Sequence, residues 1–228
     1  MSKQIDSLYI HVPFCKHLCN YCDFYKRKLT SDYNFDHYEA LLANSWQVHQ
    51  NFLNQNGFEI GPLETLYFGG GTPSLWGERG IDYLAQNFIG SKIKFDSNYE
   101  FSMEIDPAAV NEKEINLWQD LGVNRFSVGL QSWDEEYLKI MDRIHTKEQA
   151  VKTLGTLSDQ KLNFTVDFML GFPAPIKRKR DIIKELEEIL SFNPSHISLY
   201  ILSVGKDYPF YKLLPEDDLV SIEYQLVS

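Results

Sequence analysis

At 228 residues, with 43% hydrophobic and 14% aromatic residues, the chain has the composition of a folded domain with a sizeable core. Its formal charge of −10 argues against nucleic acid as a main partner. No apolar run reaches the length of a membrane span, and the first residues lack a secretory signal, so a cytoplasmic protein with no membrane span is expected.

Six short β-like runs alternate with helical patterns. The first run, 7–12, leads into a loop with three cysteines. A helix is predicted over 32–53, with Phe35, Tyr38, Leu41, Leu42, Ser45 and Trp46 on its apolar face. The second run, 64–68, ends in Gly69-Gly70-Gly71-Thr72-Pro73 and precedes a helix at 78–88. The third, 100–105, ends at Glu104-Ile105-Asp106-Pro107. A helix over 111–121 opens on Asn111 as N-cap and stops before Gly122. The fourth run, 125–130, ends at Gly129-Leu130-Gln131. Thr146 and Gln149 form a capping-box pattern for a helix ending near residue 160. The fifth run, 163–170, carries Asp167 and ends at Gly171-Phe172-Pro173. A helix at 181–191, a sixth run at 196–202 and a last helix at 214–227 follow.

This alternation predicts βαβ units and a parallel sheet. The apolar runs are near-continuous, as in strands covered on both faces. Six units are too few for a closed eight-stranded barrel. The expected class is α/β, a partial (β/α)6 TIM-like barrel; a doubly wound flat sheet is the alternative. In such folds the ligand site lies at the carboxyl edge of the strands, where the glycine-rich and polar features fall.

Cys15, Cys19 and Cys22 are the only cysteines, spaced C-x₃-C-x₂-C. An odd number is poor material for a disulfide framework. Three readings stand: incidental buried thiols, a zinc site completed by His11 or His17, and an iron–sulfur cluster that keeps one iron open. The last suits three thiolates on one loop best. The triple glycine after a strand suggests close approach of a ligand to exposed backbone. Glu104 either caps a helix or accepts bonds from hydroxyl or ammonium groups. Arg143 reads as a solvated charge. Asp167, inside an apolar run, needs partners whatever its role. The run Lys177-Arg178-Lys179-Arg180 sits among acidic residues and reads as a solvated face.

These features together resemble the radical S-adenosylmethionine (SAM) superfamily, and within it the oxygen-independent coproporphyrinogen III oxidases and heme chaperones of the HemW branch. The resemblance rests on Tyr9-Ile-His-Val-Pro-Phe-Cys15, the cysteine loop, Tyr67-Phe-Gly-Gly-Gly-Thr-Pro-Ser74, Glu104-Ile-Asp-Pro107, Arg125-Phe-Ser-Val-Gly-Leu-Gln131, Arg143 before His145-Thr146, and Asp167 through Gly171-Phe-Pro173. It implies a [4Fe–4S] cluster on Cys15, Cys19 and Cys22. By motif position it implies SAM contacts from Tyr9, Tyr21, Gly70, Gly71, Thr72, Glu104, Gln131, Arg143 and Asp167. It also implies an electron donor, heme or porphyrinogen as cargo or substrate, and heme-accepting proteins.

The oxidases carry a fourth cysteine two residues after the third; here Phe24 stands there. They also have a longer segment before the motif. Both departures resemble the HemW branch, which implies a heme chaperone rather than a coproporphyrinogen III dehydrogenase, the alternative. The segment after Pro173 departs from the family pattern. Residues 1–228 are expected to form the radical SAM core without the family's C-terminal region and its heme-linked histidine.

Overall fold

The computed structural model describes residues 3–171 and 180–202. The predicted helix at 214–227 and residues 177–179 of the basic run lie outside them. Six long strands make one parallel sheet in the order β1-β4-β5-β6-β7-β8. Here β1 is Lys3–Val12, β4 Phe58–Gly70, β5 Phe95–Ile105, β6 Arg125–Gln131, β7 Asn163–Leu170 and β8 His196–Ile201. All six predicted runs are strands. A two-stranded ladder joins β2 (Phe14–Cys15) to β3 (Arg27–Lys28). The chain divides into two compact units.

The first unit holds residues 3–16, 25–104 and 110–125. Its helices are α1 (Phe35–Gln55), α2 (Gly77–Asn87) and α3 (Glu112–Leu121). On α1 the buried face is narrower than the periodicity predicts. Phe35, Tyr38 and Trp46 are buried, whereas Leu41 is exposed. The reason is local chemistry. Phe14, Phe35, Tyr38 and Trp76 pack ring against ring at one end of α1. Glu39 then ties α1 to the α2 region, accepting from Trp76 Nε1 at 3.1 Å and Arg79 Nε at 2.7 Å. Asn111 caps α3 in a full capping box with Glu114, and Gly122 ends it in the left-handed region.

β4 starts six residues before the predicted run. Gly61 and Pro62 interrupt the apolar pattern, and pairing with β1 jumps there from Ile60 to Thr65. The strand passes through the irregularity as a bulge, which sequence punctuation reads as a boundary.

The second unit holds residues 17–24, 105–109, 126–171 and 180–202. It carries α4 (Glu135–Ile140), α5 (Lys147–Asp159) and α6 (Ile182–Leu190). Phe126, Val128 and Leu130 of β6 and Phe164, Val166 and Phe168 of β7 are buried, as are Ala150, Leu154 and Leu157 of α5. The six-residue α4 was not predicted. Asp134 caps it through Glu136 N and Tyr137 N, but it is too short for a periodic signal. β8 departs from the expectation of strands covered on both faces: Leu199, Tyr200 and Ile201 are exposed. Arg180 also corrects the solvated-face reading, because its side chain is fully buried and paired with Glu185 at 2.6 Å. No helix among the described residues is long and apolar enough to cross a membrane.

Leu66 is wholly buried in β4. Leu66→Ala should lower unfolding free energy by about 2–5 kcal/mol. Urea denaturation should show a lower midpoint with an unchanged slope; an unchanged midpoint would contradict this packing.

Candidate functional site

In the first unit, the carboxyl ends of β1, β4 and β5 carry Tyr9, Cys15, the glycine loop and Glu104. Glu104 is held by two donors. Tyr67 Oη donates to Oε1 and Gly70 N–H donates to Oε2, each at 2.9 Å. Tyr9 stacks on Tyr67 and its hydroxyl meets His11 Nδ1 at 2.8 Å. Burial, with Glu104 nearby, pushes the Tyr9 phenol up.

The glycines make close contacts within the chain. Gly70 has φ +116°, and a Cβ there would lie 2.5 Å from the His11 ring. At Gly71 a Cβ would lie 2.6 Å from the Phe14 carbonyl oxygen. The loop therefore closes onto the backbone that precedes Cys15. Gly71 N–H donates to Val12 O and Thr72 N–H to Phe14 O, at 2.8 and 2.7 Å. Thr72 does not use its hydroxyl to cap the following turn. Cys15 is buried on β2, and its carbonyl accepts from Leu29 N–H.

In the second unit, Arg143 is central. Its Nη2 donates to Asp106 Oδ2 at 2.6 Å and to the Gly129 carbonyl, and its Nη1 reaches Tyr21 Oη at 3.5 Å. Only 11% of the side chain is exposed, against the solvated charge that sequence suggested. Burial works against its charge, but Asp106, Tyr21 and Cys19 outweigh that and raise its pKa. Burial likewise raises the Tyr21 phenol and the Cys19 thiol, while the Arg143 cation pulls both back. Cys22 N–H donates to Cys19 O at 3.4 Å. Asp167, on β7, accepts from Ser127 Oγ at 2.9 Å, so its burial is compensated.

Gln131, at the end of β6, has φ +68°, which is unusual for a residue with a side chain. Among the described residues its buried Oε1 has no hydrogen-bond partner, and neither has Arg143 Nε. Both side chains lie over Gly129: a Cβ there would be 3.5 Å from Arg143 Nη2 and 3.6 Å from Gln131 Nε2. Asp106 is the site residue that sequence reasoning left out of its assignments. Its signal was the Asp106-Pro107 turn at the end of a strand.

A profile of the Radical SAM superfamily matches residues 9–186. The chain belongs to the radical SAM superfamily. Within this radical SAM group it is similar to the heme chaperone HemW of Escherichia coli (strain K12), at 32% identity over 216 residues, 93% of this chain and 55% of that one. HemW of Haemophilus influenzae is 31% identical over 217 residues, again 93% and 55%. The chain thus spans about half the length of these curated relatives. Coproporphyrinogen III oxidase (HemN) from Escherichia coli, a radical SAM enzyme, superposes with a TM-score of 0.75 at 22% identity, covering 99% of this chain and 50% of that one. The fold class is accordingly α/β, the six-stranded parallel half-barrel of radical SAM proteins.

The radical SAM donor set fits the chain on its own observations. The open Gln131 acceptor and Arg143 donor are what a polar cofactor would satisfy. Among the described residues no three His, Cys, Asp or Glu side chains converge to hold a single metal ion. A cluster makes a different demand, because each thiolate binds a different iron of it.

His145 is buried against Arg143 and Asp106, and burial, then the Arg143 charge, lowers its pKa to about 4. The folded chain therefore binds fewer protons than the unfolded chain between about pH 6.5 and 4. This contribution is complete above the unfolded pKa and is lost as pH falls through the folded one, about 3 kcal/mol in all. Wild-type protein should lose more stability than His145→Gln over that interval in denaturant titrations; parallel losses would refute the assignment.

Proposed function

We propose that the chain is the radical SAM core of a HemW-type heme-handling protein. Cys15, Cys19 and Cys22 would hold a [4Fe–4S] cluster. Tyr9, Tyr21, Gly70, Gly71, Thr72, Glu104, Gln131, Arg143 and Asp167 would contact SAM. When bound, the cluster and SAM together supply one-electron cleavage of a carbon–sulfur bond.

The chain's own residues divide the remaining work. The glycine loop fixes the backbone ahead of Cys15. Burial raises the Cys19 thiol, and the Arg143 cation beside it offsets part of that rise, towards the thiolate that binds iron. Glu104, held by Tyr67 and Gly70, presents a fixed carboxylate for hydroxyl or ammonium groups of SAM. Gln131 offers a buried acceptor without a partner among the described residues. That open acceptor carries the reading, since burial of an unsatisfied amide oxygen is unfavourable unless a ligand compensates it.

The choice of heme handling over porphyrinogen oxidation rests on Phe24. It occupies the place of the oxidases' fourth cysteine and is 72% exposed. Likeness to several HemW proteins points the same way. Heme, an electron donor and heme-accepting proteins are the partners this reading requires.

Anaerobic reconstitution with iron and sulfide should give a brown protein whose colour bleaches on reduction. Cys19→Ala should abolish the colour while the far-ultraviolet circular dichroism stays as in wild type. A colourless wild-type protein holding one zinc would overturn the cluster reading. Protoporphyrinogen IX formed from coproporphyrinogen III, SAM and a reductant would replace the chaperone reading with the oxidase one.

A further inference from the structure

Gln131 sits in a conformation that its own sequence does not favour. Ser132 N–H donates to Leu130 O at 2.9 Å, a bond that spans Gln131 alone. With φ +68° at Gln131, this is a γ-turn of the rare, strained hand. Such a conformation persists only where surrounding structure over-determines it. Something must therefore hold the two residues that follow.

The structure contains such a device, and it is the buried end of the basic run. Glu185 Oε2 accepts from Ser132 Oγ at 2.8 Å and from Trp133 N–H at 2.6 Å. The same carboxylate accepts from Arg180 Nε at 2.6 Å and Nη2 at 3.0 Å. Arg180 Nη2 also donates to Ser132 Oγ at 2.9 Å, and its Nη1 donates to the Met169 carbonyl at 2.8 Å. The guanidinium lies over the Tyr137 and Phe168 rings at 4.8 and 4.7 Å. Ser132, Trp133, Arg180 and Glu185 are all buried, so the bonds among them act with little competition from water. Ser132 and Trp133 are thus fixed through side chain and backbone together.

We infer that Glu185, Arg180 and Ser132 are positioning residues for a SAM contact: they hold the γ-turn that directs the Gln131 amide oxygen, buried and without a partner among the described residues, toward the bound cofactor. None of the three touches the ligand. Without the Glu185 anchor the turn relaxes toward negative φ, and the amide side chain swings away from its place over Gly129. The inference rests on the SAM reading given above. It adds that residues 180–185, well separated in sequence from the cysteine loop, set the affinity of that contact.

The test uses anaerobically reconstituted protein, with SAM binding followed by equilibrium dialysis of labelled SAM. Gln131→Ala should weaken binding about three- to ten-fold, the loss of one hydrogen bond. Glu185→Gln should weaken it by a similar factor, and the double variant should bind no worse than Gln131→Ala alone. Amide exchange supplies a readout that needs no cofactor. The Ser132 amide should exchange at least about ten-fold faster in Glu185→Gln, while amides of α5 and β7 keep their wild-type rates. Ser132→Ala keeps the Arg180–Glu185 pair, and it carries the same cycle if Glu185→Gln fails to fold. Unchanged Ser132 exchange, or losses that multiply with Gln131→Ala, would overturn the inference while leaving SAM binding in place. A wild-type protein that binds cluster but no SAM would overturn the SAM reading and this inference with it.

Discussion

The Arg143–Asp106 pair is the interaction on which the second unit's site depends. A buried guanidinium, here in the loop between α4 and α5, is tolerated only if its charge is compensated. Asp106 supplies the charge, and the Gly129 carbonyl and Tyr21 hydroxyl supply acceptors. These partners come from three separate stretches of chain. Once they are assembled, the neighbouring groups have little freedom: His145 is kept neutral, and Cys19 lies beside a fixed cation.

The first unit solves the complementary problem with a carboxylate. Glu104 lies near strand ends, where Gly70 N–H and the Tyr67 hydroxyl hold it. The glycine loop serves this arrangement twice: it donates to Glu104 and it closes onto the backbone before Cys15. In both units the polar residues are set by hydrogen bonds to backbone at the carboxyl ends of parallel strands. Helices flanking such strands place loops, rather than side chains of the sheet faces, at that edge.

Much of this was legible. All six strands and five of the helices followed from apolar periodicity, caps and glycine stops, because these are local signals written within ten or so residues. The failures have physical causes. β4 runs through Gly61-Pro62 because a bulge absorbs them. α4 is a single capped turn or two, shorter than any period. Arg180 reads as one more cation in a basic run, yet its partner Ser132 lies 48 residues away. Glu185 likewise meets Ser132 across 53 residues.

The sequence by itself determined which candidate donors are present: three thiols at fixed spacing on one loop, a strand-ending order of polar motifs, and a phenylalanine where a fourth cysteine would stand. Those are covalent facts, and they suffice for the superfamily. Which charges are buried, which partners compensate them, and which side chain is held open were decided only by tertiary structure. Burial is a property of the assembled fold: the pairing of Arg143 with Asp106, the anchoring of Ser132 by Glu185 and the strained turn at Gln131 arise when segments distant in sequence meet and water is excluded.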